Sequence, residues 1–64
     1  MRDYLLVQFD RDGFSFLARP LTFLEDGWEK GPIELLSPDQ VRKNRIWVED
    51  WNGDLILINE ESLE

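Results

Sequence analysis

Neither cysteine nor histidine occurs in the 64 residues, and this double absence constrains the fold more than anything the sequence contains. A chain this short buries only about 60% of the surface its unfolded form exposes, and small domains often make up the deficit with disulfides or a structural zinc. Both staples are denied here, so stability must come from apolar packing or from a partner. For a core of this size the net amounts to about 3–5 kcal/mol. The material for packing is present: Tyr4, Phe9, Phe14, Phe16, Phe23, Trp28, Trp47 and Trp51 are spread along the chain among many Leu, Ile and Val. Aromatic side chains bury large areas each and suit a core with few positions. A disordered chain would lack them. The sequence reads as one folded, β-rich domain over residues 1–64.

The apolar residues alternate. Leu5, Val7 and Phe9 hold odd positions, and beyond Asp10-Arg11-Asp12-Gly13 the even positions Phe14, Phe16 and Ala18 continue the pattern. Folding back across residues 10–13 sets Phe9 opposite Phe14 and Val7 opposite Phe16 on one face. A tighter turn at Asp12-Gly13 moves the pairing by two residues and keeps the same face inward. Leu6 and Leu17 then fall on the outer face beside Gln8, Ser15 and Arg19. Pro20 ends or edges the second strand, because it lacks the N–H that a ladder needs. Residues 21–24 read as a short strand, and residues 25–33 as either a hairpin or one long polar loop.

Ser37-Pro38-Asp39-Gln40 marks a helix start: Ser37 caps, Pro38 suits the first helical position and Gln40 holds the capping-box position. Arg42 and Lys43 complement the C-terminal end of the helix dipole, and Asn44 can close the helix after about two turns. In the last hairpin, Asn52-Gly53 as the centre of a type I′ turn sets Asp50 opposite Leu55, Val48 opposite Leu57 and Trp47 opposite Ile58. One side carries Ile46, Val48, Leu55 and Leu57. The other carries Trp47, Trp51, Ile56 and Ile58, so both sides are apolar, as in a hairpin enclosed by a curled sheet or one that keeps a face for a partner. Residues 59–64 close the chain with one acidic turn.

Five short strands, with a middle excursion and one short helix before the last hairpin, resemble a small SH3-like barrel or a rolled antiparallel sheet. The resemblance is one of element order along the whole chain, without a signature motif. It implies a mainly β binding scaffold, and a fold by itself does not fix a function.

Several function classes are set aside by composition. Seven basic against fourteen acidic residues give a formal charge of −7, which opposes direct contact with DNA, RNA or anionic lipid. Apolar runs reach four residues at most, so neither a spanning helix nor a signal peptide is expected, and cytoplasm is the default location. Without histidine or cysteine there is no imidazole base, thiolate or ordinary zinc-bound water. Ser15, Ser37 and Ser62 have no activating base, and a carboxylate pair such as Glu49 with Asp54 needs a cleft that 64 residues can hardly build beside a core. The expectation is a non-enzyme without cofactor or metal. Asp50, Asn52, Asp54 and Glu61 do fall at the first, third, fifth and twelfth places of a calcium-loop pattern. Yet Leu55 stands where the sharp-turn glycine belongs and Gly53 comes two places early, so a β-hairpin is the stronger reading.

Recognition remains. Trp28 lies in the middle excursion and Trp51 abuts a turn, whereas Trp47 fits core or surface equally. Trp28 and Trp51, rimmed by Glu25, Asp26, Glu49, Asp50 and Asp54, have the make-up of a protein-binding hot spot. Three readings follow. The first is a small acidic protein-binding module, an adaptor or inhibitor, whose partner is another protein with a basic surface. The second is a nucleic-acid mimic of the phage type (anti-nuclease, anti-CRISPR or anti-restriction) that occupies a basic groove. The third is a structural subunit that forms a homo-oligomer through Leu6, Leu17, Ile56 and Ile58.

Overall fold

In the computed structural model, which describes residues 1–59, the first turn forms where the sequence places it. Asp10 Oδ1 accepts the backbone N–H of Asp12 at 3.1 Å and of Gly13 at 3.4 Å, local turn chemistry that aspartate favours. The turn joins β1 (Asp3–Asp10) to β2 (Ser15–Leu24). The strands take the register of the tighter turn: Phe9 lies opposite Phe16 and not Phe14, and the two rings stack with centroids 4.6 Å apart. The expected faces need correction. A β-bulge interrupts the ladder between Leu6 and Gln8, so Tyr4 and Leu6, not Leu5 and Val7, share the core side with Phe16 and Ala18. Val7 is exposed, and Leu5 is buried on the opposite face. Each side of a bulge alternates correctly by itself, which hides the inserted residue from a period-2 reading.

β2 continues straight through Pro20. In an antiparallel strand the N–H and C=O of one residue point to the same neighbour. On that side of β2, β3 (Gly27–Lys30) pairs with residues 21–24 and β4 (Glu34–Leu36) with residues 16–18. Pro20 faces the gap between them, where no ladder donor is required, and its carbonyl accepts the Gly31 N–H at 2.9 Å. Residues 25–30 thus resolve as a hairpin with Glu25 and Asp26 at its turn, since Leu24 pairs with Gly27.

Helix α1 (Pro38–Lys43) opens with the full capping box: Gln40 N donates to Ser37 Oγ at 3.3 Å, and Ser37 N donates to Gln40 Oε1 at 2.9 Å. Its end works differently from a left-handed cap. Asn44 is extended, with φ −129°, and closes the helix through its side chain: Nδ2 donates to Gln40 O at 2.7 Å while Oδ1 accepts from Arg2 N at 2.8 Å. Asn59 adds a second clamp. Its Nδ2 donates to Val41 O at 2.8 Å and to Asn44 O at 2.7 Å, and its Oδ1 accepts from Ile46 N at 2.8 Å.

The helix returns the chain so that β5 (Arg45–Glu49) lies parallel to β1, with Asp3, Tyr4 and Leu5 opposite Arg45, Ile46 and Trp47. β6 (Leu55–Leu57) completes the sheet in the order β3-β2-β1-β5-β6, with β4 also on β2. Over the described residues the chain is mainly β with one short helix, as expected. The sheet, however, has six strands, is mixed and does not close into a barrel, which corrects the five-stranded antiparallel roll. A parallel pair needs a crossover, and residues 25–44 supply one. Among the described residues no helix is long and apolar enough to cross a membrane.

Tyr4, Ala18, Leu36 and Ile46 form the buried cluster, with Leu6, Phe16 and Val41 of α1 packed against it. Among the described residues no helix covers the other face. Leu5 and Leu21 are buried there, and Trp47, the register partner of Leu5, meets Phe23 edge-on at 5.4 Å. Trp47 is half-buried. Its indole N–H donates to Asp3 Oδ1 at 2.9 Å, and Arg45 Nη2 donates to Asp3 Oδ2 at 2.9 Å. Arg45 Nε stands 2.7 Å from Asp3 Oδ1 as an ion pair, without the alignment of a hydrogen bond.

Candidate protein-recognition surface

The β5–β6 turn is built around Asp50. Its N–H donates to Asp54 O at 3.0 Å, its carbonyl accepts from Gly53 N at 3.1 Å, and its Oδ1 accepts from Asn52 N and Asp54 N, both at 2.9 Å. Gly53 sits at φ +86°, the left-handed conformation that closes a three-residue hairpin loop. The loop is therefore Trp51-Asn52-Gly53 and not the two-residue type I′ turn expected from Asn52-Gly53. Glu49 pairs with Leu55, Val48 with Ile56 and Trp47 with Leu57, one residue away from the predicted register. A one-residue slip turns every side chain of the strand over. Ile56 and Ile58 join the face of Ile46 and Val48, while Leu55 and Leu57 join that of Trp47.

The same bonds account for the calcium-like spacing. Asp50, its first position, uses one carboxylate oxygen to hold the turn, so the Asp, Asn and Gly content is what a hairpin loop of this kind requires. Glu61 lies outside the described residues, as does most of the acidic turn expected over residues 59–64. Among the described residues no group of three or more acidic side chains is placed to hold a metal ion.

Strand direction decides which candidates meet. β1 and β5 run the same way, so the β5–β6 turn with Glu49, Asp50, Trp51 and Asp54 projects from the sheet end at which the β1–β2 turn also lies. β2 runs the opposite way, and the β2–β3 turn with Glu25 and Asp26 lies at the other end. The residues expected to make one site therefore divide into two groups. Trp51 is 95% exposed. Trp28 is half-buried on β3, opposite Phe23 in register, with Lys30 Nζ 5.9 Å from its ring centre. Glu25, Asp26, Glu49 and Asp54 are exposed and Asp50 is half-buried. Ion pairs among the described residues join Arg42 to Asp39 and Arg45 to Asp3, so the five candidate carboxylates keep their charge uncompensated by direct contact. Of the residues expected at an oligomer edge, Leu6 packs against the core, whereas Ile56 and Ile58 are exposed.

One residue at the Trp51 end was missed by sequence reasoning. Phe14, expected inside and opposite Phe9, is 68% exposed, and with φ +49° it is the one described non-glycine residue at positive φ. Its position directly after Asp-Gly was the available signal, since residues that end a turn often leave the strand pattern. Val7, Phe9 and Ile56 are further exposed apolar side chains in this half of the sheet. No protein-family model matches the chain, and neither a curated protein nor a solved structure matches it.

Proposed function

We propose that the chain is a small acidic protein-binding module, an adaptor or inhibitor, that meets a basic protein surface with the sheet end carrying Trp51. The observation that carries this reading is an indole 95% exposed at the tip of a turn whose backbone is held by Asp50. Such a side chain adds nothing to packing within the domain, yet tryptophan on a rigid support is the most productive kind of anchor at a protein interface. Glu49, Asp50 and Asp54 around it would guide approach of a cationic partner and favour correct over incorrect partners. Neither function depends on the SH3-like closure suggested by the element order, because an open sheet also presents its turns on a fixed frame. Trp28, at the opposite end and already in contact with Lys30, is a separate and weaker anchor.

Trp51→Ala should leave the stability measured by urea unfolding within about 0.5 kcal/mol of wild type and weaken the partner complex by about 30-fold or more, read by calorimetry on a partner captured from native cell extract. Equal capture by the folded variant would remove Trp51 as anchor. The mimic reading draws support from uncompensated carboxylates at both ends of the sheet, Glu25 and Asp26 at one and Glu49, Asp50 and Asp54 at the other. It requires competition with nucleic acid, steep loss of affinity with salt, and charge reversal at Glu25 or Asp26 as harmful as at Glu49 or Asp50.

A further inference from the structure

We infer that Phe14 is the second apolar anchor of the Trp51 end, and that the partner there is a folded protein with apolar pockets inside a rim of lysine and arginine. The inference rests on the reading of this end as a protein-binding surface and names a residue and a partner chemistry for it.

Phe14 occupies the left-handed region, where an L-residue with a bulky side chain is strained. Glycine relieves that strain, and the neighbouring Gly13 is not the residue placed there: φ is positive at Phe14. Packing does not compensate, for the ring is 68% exposed. Local folding would thus be served better by another residue at position 14, and strain retained where the fold gains nothing marks a site whose side chain works elsewhere. Phe14 also shares its sheet end with Trp51, and Val7, Phe9 and Ile56 are exposed in the same half. Exposed apolar groups gathered in this way mark interaction surfaces.

Charge specifies the partner. The two turns and the strand ends that support them carry Asp10, Asp12, Glu49, Asp50 and Asp54 against the single cation Arg11. Two protruding rings need concave receptors, and five carboxylates beside them need a basic surround, whereas a nucleic acid or an anionic membrane would be repelled.

The test uses the full chain with the photoreactive residue benzoylphenylalanine at position 14, at position 51, or at the exposed Phe23 of the opposite end. After irradiation in native cell extract the adducts are identified by mass spectrometry, and the joined protein is produced and titrated by calorimetry with wild type, Phe14→Gly and Trp51→Ala. One basic protein should be joined from positions 14 and 51 and not from 23. Phe14→Gly should bind it about tenfold or more weakly while melting about 4–8 °C above wild type, because the strain is gone. Binding lost in Trp51→Ala but unchanged in Phe14→Gly would overturn this inference and leave the proposed function standing. Adducts formed as readily from position 23, or a Phe14→Gly chain that melts below wild type, would overturn it too. Indifference to both substitutions, or no adduct from position 51, would sink both readings.

Discussion

A chain carrying Ile46→Ala is expected to lose most of its stability. Ile46 is 1% exposed and belongs to the buried cluster that joins β1, β2, β4 and β5 among the described residues. Shortening a fully buried isoleucine to alanine costs about 2–5 kcal/mol, from lost transfer free energy and the cavity left behind. A domain of this size has only about 3–5 kcal/mol in total. Tyr4 and Leu36 are held by strand pairing and have little freedom to collapse into the space, which favours the upper part of the range. Ile46→Val removes one methyl group and should cost about 0.5–1.5 kcal/mol, keeping the same denaturant slope. Urea titration followed by far-ultraviolet circular dichroism reads both. An alanine variant within about 1 kcal/mol of wild type would mean that the core lies elsewhere.

Asn59→Ala should come next, at about 2–3 kcal/mol. Its amide donates to two carbonyls at the end of α1, at Val41 and Asn44, and accepts from the first core residue of β5, Ile46. Those carbonyls have no partner within the helix because the helix stops before one is reached. Removing the side chain frees three partly buried backbone groups together, and water can restore only part of the loss. Asn59→Asp keeps the shape and the acceptor but turns oxygen towards two carbonyl oxygens, so it should cost at least as much as alanine. Neutrality of the aspartate variant would show that the two donated bonds contribute nothing.

How far the fold was legible in the sequence follows from the range over which each residue acts. The Ser37–Gln40 box, the Asp10 turn and the existence of both hairpins depend on neighbours within a few residues, and all three form as expected. The Val7 bulge and the Asp50 loop each shift a ladder by one residue: the bulge sits inside a strand that alternates correctly on either side of it, and Asn52-Gly53 suits a two-residue turn, but Asp50 satisfies three backbone N–H groups by making it three. Asn44 and Asn59 act across 42 and 15 residues respectively, and no local pattern announces them.

The candidate site was legible in its members more than in its arrangement. Trp51 is exposed for the reason visible in the sequence, its place on a turn. Its separation from Trp28 arises from the parallel pairing of β1 and β5. An antiparallel β5 would have sent the last turn to the same end as Glu25 and Asp26, and one topological choice therefore moves the whole acidic group. Phe14 escaped notice because its alternation with Phe16 and Ala18 is sound. The turn simply uses the residue before the ladder begins.

Hydrogen exchange of the three indole N–H protons in the purified chain, followed by nitrogen–proton NMR without metal or partner, tests most directly whether these residues fold unaided and leave an aromatic tip in water. The Trp47 indole, bonded to Asp3, should exchange on the order of 10²-fold more slowly than the unhindered rate, alongside a protected Ile46 amide. The Trp51 indole should exchange at the unhindered rate. Three indoles that exchange alike, in a spectrum of poorly dispersed amides, would contradict both the self-sufficient core and the surface built upon it.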